Sequence, residues 1–233
     1  MENTGSRASS ETAEAEKEKR GEILRLLEEM DRALLVEFNS RSIERLKERK
    51  PALRAALPFF EAFREANVRK EVDKDRLIIE QAAAAREAGR ELDVEEVFAM
   101  TRAVDARFLD RLPAVPVRVD YGAIEPIRAE RIRLIARGVR VLLDHGREAR
   151  GLEEAVRMAY TREGYRDLIL GILRLYNEET RALSRSIKLP PLVGMAAGAF
   201  SRALYGVMEE VSGELAEEYA SRAFGRREGV ARP

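Results

Sequence analysis

The sequence predicts an all-α protein, a multi-helix bundle of about six to seven helices with one extended crossover near 113–125. Three observations carry this. Apolar residues recur at spacings of three and four through most of the chain. Strict alternation is confined to one short run, Val115, Val117 and Val119. Helix-ending residues such as Pro51, Gly89, Pro113 and Gly146 punctuate the periodic segments.

The elements follow in order. Residues 1–11 are polar and are expected as a disordered lead, with a single helical domain at 12–233 whose halves are 12–112 and 126–233. Ile23, Leu27, Met30, Leu34 and Phe38 form a seam of about two heptads on the first helix, which Pro51 ends. A second helical region spans 52–88. Pro58 kinks it early, Phe59, Phe60 and Phe63 are expected to dock into the core, and Gly89 caps it. Asp93 with Glu96 opens a third helix carrying Val97, Met100, Val104 and Phe108. Pro126 suits the first turn of a fourth, running to about Gly146. Shorter and longer helices follow over 151–162 and 164–187. The last begins at Pro191 and carries Val193, Ala197, Phe200, Leu204, Val207, Val211 and Leu215 on one stripe. Beside it lie Gly194, Gly198 and Ser201, small enough for a second backbone to come close. Arg202 and Glu209 interrupt this apolar run short of the roughly 20 residues a membrane span requires.

Composition excludes several chemistries. With no cysteine there is no disulfide, thiolate nucleophile or cysteine-ligated metal. The 42 basic and 42 acidic residues cancel, so no global field draws the chain to nucleic acid. The polar N-terminus lacks the apolar core of a signal peptide, which makes a cytoplasmic location the expectation. One histidine, His145, cannot furnish the two Glu-x-x-His pairs of a di-iron bundle, and its place at a helix end suits capping better than catalysis. No Walker or Rossmann glycine pattern occurs. No cofactor is assigned. A magnesium site is weighed at Glu210, Glu214, Glu217 and Glu218, or at Glu95 and Glu96 opposite Glu178 and Glu179. These acids read more simply as solvated helix faces, so no metal ligand is assigned.

The arginines of the fourth helix are more specific. Arg133, Arg137 and Arg140 cluster outward, whereas Arg128 and Arg131 fall in the arc of Ile132, Ile135 and Leu142. A buried arginine needs a partner. That partner is either an acid such as Glu125, Asp105 or Asp110, or a small anionic ligand such as a phosphate. The first expectation for function is therefore a self-associating interaction or scaffold protein without catalysis. It would form a homodimer through Ile23, Leu27, Met30, Leu34 and Phe38, with Gly194, Gly198 and Ser201 as a second surface. The alternative is an anion-binding protein, or a magnesium-dependent enzyme, with its pocket at Arg128 and Arg131. A nucleic-acid regulator acting through 126–146 comes third, since acids intersperse its basic residues.

Overall fold

The computed structural model describes residues 4–51, 57–110, 119–146, 148–186 and 191–225. Seven helices account for nearly all of them: α1 (Thr4–Arg49), α2 (Leu57–Glu87), α3 (Val94–Leu109), α4 (Tyr121–His145), α5 (Leu152–Ala159), α6 (Arg162–Ser186) and α7 (Pro191–Phe224). The fold is an all-α multi-helix bundle. α4 packs against α2, α3, α5 and α6, while α7 lies along α6 and α1. One contiguous buried cluster draws on every helix, including Leu34, Ile78, Val97, Ile132, Ala155, Ile169 and Val211, so the two halves read from sequence share it. Among the described residues, no helix is long and apolar enough to cross a membrane.

The helix ends follow from local chemistry. Asp93 caps α3 by accepting from the backbone N–H of Glu95 and Glu96, both at 3.0 Å. α2 closes at Gly89, whose φ of 63° places it in the left-handed region. There Arg90 N–H reaches back to Ala85 O and Gly89 N–H to Arg86 O, which together satisfy carbonyls the helix leaves open.

Two boundaries differ from the sequence reading. α1 starts at Thr4, so residues 4–11 continue the helix instead of forming a separate lead. Of these, only Arg7, Ala8 and Glu11 have good helix propensity, and the stretch extends a helix already running behind it. α4 starts at Tyr121, five residues ahead of Pro126. Asp120 accepts from Gly122 N–H at 3.1 Å and sets that start. Pro126 then sits inside the helix, close enough to its beginning that only one backbone bond is forgone. Residues 121–125 of the expected crossover are thus helical, and its 113–118 portion lies outside the described residues, as do the side chains of Phe59, Phe60 and Phe63.

α1 and α7 run antiparallel, and an ion-pair ladder stitches them. Arg41 donates to Glu218 at 2.6 Å, Arg45 to Glu214 at 2.6 Å and Arg49 to Glu210 at 2.8 Å. Each rung advances by one helical turn of four residues. Glu217 pairs with Arg162 of α6. The acid row on α7 weighed as a magnesium site is thus matched by arginines. Among the described residues no group of three or more acids or histidines is placed to hold a metal ion. Glu95 and Glu96 are exposed at the start of α3.

Candidate functional site

The centre of the bundle is ionic. Along its inner face α2 places Arg64, Asn67, Lys70, Glu71, Lys74 and Asp75 in the interior before the stripe turns apolar at Ile78, Ala82 and Ala85. α3 adds Asp105, α4 adds Arg128 and Arg131, and α6 adds Glu179, each with at most 2 % of its surface exposed. Arg128 and Arg131 do lie in the arc of Ile132, Ile135 and Leu142, all of them buried.

Their partners belong to the chain itself. Arg131 donates through Nη1 to Glu71 at 2.6 Å and to Glu179 at 3.2 Å, and through Nη2 to Asp75. Arg128 donates through Nε to Glu179 at 2.8 Å and through Nη2 to Asp105. Lys74 Nζ bridges Glu179 at 2.5 Å and Glu71 at 2.7 Å. Lys70 Nζ lies 2.8 Å from Glu71, and its charge sits 5.0 Å from the centre of the Phe108 ring. Four cations (Lys70, Lys74, Arg128, Arg131) thus face four carboxylates (Glu71, Asp75, Asp105, Glu179) in the buried interior.

Such a set persists only if its members compensate one another's lost hydration. Burial alone would lower Arg131, but Asp75, Glu71 and Glu179 outweigh it and hold the guanidinium well above its usual value. Burial would likewise raise Glu179, yet Lys74, Arg128 and Arg131 bring it down to about 2 despite the nearby Glu71. Glu71 is also held well below the carboxylate range, with Lys70, Lys74 and Arg131 overcoming its burial. Lys70 is the member that burial pulls down.

A fifth carboxyl, Asp31 of α1, joins at the edge. Burial and then the Asp75 charge push it well up. Asp75 is itself raised to about 6 by burial, against the pull of Arg131. Asp75 Oδ1 is buried without a hydrogen-bond partner among the described residues.

A column of two rings between two cations leads from this network to the surface. Arg128 lies 5.3 Å from the Phe98 ring centre, Phe98 meets Tyr121 edge-on at 6.5 Å, and Arg102 stacks over Tyr121 at 4.3 Å. Arg102, Asp120 and Tyr121 line a cleft of about 1030 Å³ at the start of α4, together with Ile127, Glu178, Arg181 and Arg185. Many surface arginines in this protein have a carboxylate, as Arg41, Arg45, Arg49, Arg69 and Arg76 do. Arg102, Arg181 and Arg185 form no ion pair with any described residue. At the inner end of the column, Arg128 keeps Nη1 buried without a partner.

The other residues singled out from sequence lie elsewhere. Ile23, Leu27, Leu34 and Phe38 are 5 % exposed or less, and Met30 packs against the same core. The seam therefore faces its own chain. Ile23 Cδ1 presses onto Gly146 at the end of α4, where any Cβ would collide with it. Gly198 and Ser201 are half-buried on α7, and the Gly194 environment lies outside the described side chains. His145 ends α4 and is exposed, as are Arg133, Arg137 and Arg140. Sequence reasoning named Asp105 among the partners but missed Glu71, Asp75 and Lys74. No family model matches this chain, nor does any curated protein or solved structure.

Proposed function

We propose that this is a ligand-binding helical protein that takes a small anionic molecule with a flat or apolar portion in the cleft at the start of α4. The observation that carries the reading is the trio Arg102, Arg181 and Arg185, which outnumber Asp120 and Glu178 around one cleft and form no ion pair with any described residue. The cleft's size is in the range of small-molecule sites, roughly 300–1,000 Å³. Tyr121 and Ile127 offer a ring and an aliphatic wall, while the arginines offer forked donors suited to phosphate or carboxylate. The reading moves the anion site from Arg128 and Arg131, whose donors mostly serve internal carboxylates, to the arginines one layer further out.

The test is calorimetric titration with phenyl phosphate and with inorganic phosphate. Phenyl phosphate is expected to bind at least tenfold more tightly, because only it covers Tyr121. Arg181→Glu with Arg185→Glu is expected to abolish binding, while Arg133→Glu with Arg137→Glu leaves it unchanged. Equal affinity in both double variants, or none at millimolar concentration, overturns the assignment. Native mass spectrometry on the same samples reads the competing expectation of a homodimer. With the α1 seam covered by its own chain, a dimer would have to form through another surface.

A further inference from the structure

A second cation in the interior is not part of the ionic network. Arg64 of α2 is 7 % exposed. Its Nε and Nη2 have no hydrogen-bond partner among the described residues, where its one hydrogen-bond contact is the Met208 sulfur of α7, 3.7 Å from Nη1. A thioether is a weak acceptor and brings no charge. Arg131 meets three carboxylates and Arg128 two. Arg64, one turn before Asn67 on the same stripe, forms no ion pair with any described residue. Tyr176 of α6 and Tyr205 of α7 are the ionisable groups whose fields reach it, and both are neutral phenols at ordinary pH.

The adjoining α6–α7 seam is also short of partners. Asn177 Oδ1 and Thr180 Oγ1 are buried without a hydrogen bond. Tyr205 ties the two helices by donating to Thr180 O at 3.2 Å and lying 2.9 Å from Ser184 Oγ. Arg64 therefore carries a buried positive charge that no carboxylate among the described residues meets. A buried guanidinium in that state leaves a large desolvation penalty uncompensated.

We infer that Arg64 is the receptor for a small buried monoanion, a halide or the carboxylate of a small acid, held where α2 meets α6 and α7. The site is separate from the cleft. Thr180 and Ser184 lie on a different face of α6 from Glu178, Arg181 and Arg185. Its occupant is monovalent, because one guanidinium supplies one charge. It is compact, because Met208 and the tyrosines leave no second cation to share a larger ion.

Bromide and formate test the two sources. The intact protein is unfolded thermally at constant ionic strength while sulfate is replaced by sodium bromide or sodium formate. The melting temperature is expected to rise by about 3–5 °C for each tenfold increase above the dissociation constant. The anion giving the larger rise identifies the class. Arg64→Met removes the charge at similar volume and should remove the response. Crystals soaked in bromide should show an anomalous peak within hydrogen-bond distance of Arg64. Arg181→Glu with Arg185→Glu leaves this response intact, so failure here and failure of the cleft reading are distinguishable. A melting temperature indifferent to both anions overturns the inference, as does a soaked crystal with only water at Arg64. Should Arg64→Met not fold, the wild-type titration and the diffraction experiment still decide.

Discussion

At the scale of single residues, burial and charge together fix what a substitution does. Arg131 is bonded to three carboxylates and lies 5.4 Å from the centre of the Tyr176 ring. Arg131→Met strands Glu71, Asp75 and Glu179 in the buried interior and is expected to cost about 3–5 kcal/mol of stability. Arg137, on the exposed side of the same helix, is the control. Arg137→Met should stay within about 0.5 kcal/mol. Urea melts of both variants read the contrast directly, and equal small effects would mean the Arg131 carboxylates find other partners. Half of this was legible beforehand. The helical wheel put Arg128 and Arg131 in an apolar arc, and Asp105 was named as a partner. Glu179 was noticed only as one of a surface acid pair. The α2 acids and lysines were missed because charged residues at helical spacing normally mark a wet face. The signal lay in the phase. Ile78, Ala82 and Ala85 are a core stripe, and stepping back by threes and fours from Ile78 passes through Lys74, Glu71, Asn67 and Arg64.

At the scale of elements, the periodicity of apolar residues located every helix, and caps or their absence decided where each one ended. The start of α4 was misplaced because Pro126 is a stronger start signal than Asp120 when only sequence is weighed, whereas the backbone uses the aspartate. The α1 seam was legible as a stripe but not as to what covers it, since an amphipathic face looks the same against its own chain or another. Gly146 supplies the answer and a prediction. Any Cβ there would collide with Ile23 Cδ1 and approach Leu142 O at 2.8 Å. Gly146→Ala should therefore destabilise by about 1–3 kcal/mol. Combining it with Ile23→Ala should recover part of the loss, since the shortened side chain makes room. A double variant no better than the sum of its parts would place the seam elsewhere.

At the scale of the whole molecule, the ionic centre ties stability to pH in two opposing directions. Asp75 is raised from 3.8 to about 6, and Asp31 well above 3.8. Over that window the folded chain binds more protons than the unfolded chain, so stability falls as pH rises from about 4 through about 6. Glu179 is lowered from 4.5 to about 2, and Glu71 is lowered too. Their contribution is complete above about pH 4.5 and is lost as pH falls toward about 2. The protein is thus expected to be most stable in mildly acidic solution. Asp31→Asn removes one of the two raised carboxyls. It should flatten the decline above about pH 4 and raise the melting temperature at pH 8 by several degrees. A wild-type profile level from pH 4 to 8 would sink this account.

The balance of four cations against four carboxylates also constrains how such a chain can change over generations. A single charge-altering substitution at Lys74, Asp105, Arg128, Arg131 or Glu179 leaves an odd charge with nowhere to go. Neutral drift by one letter at a time is closed at these positions. The open routes are coordinated exchanges between α2, α3, α4 and α6, or replacement of the whole set by apolar residues of similar volume. Descendants of this sequence should therefore carry the ionic centre entire or not at all, while the α1–α7 rungs at the surface turn over freely.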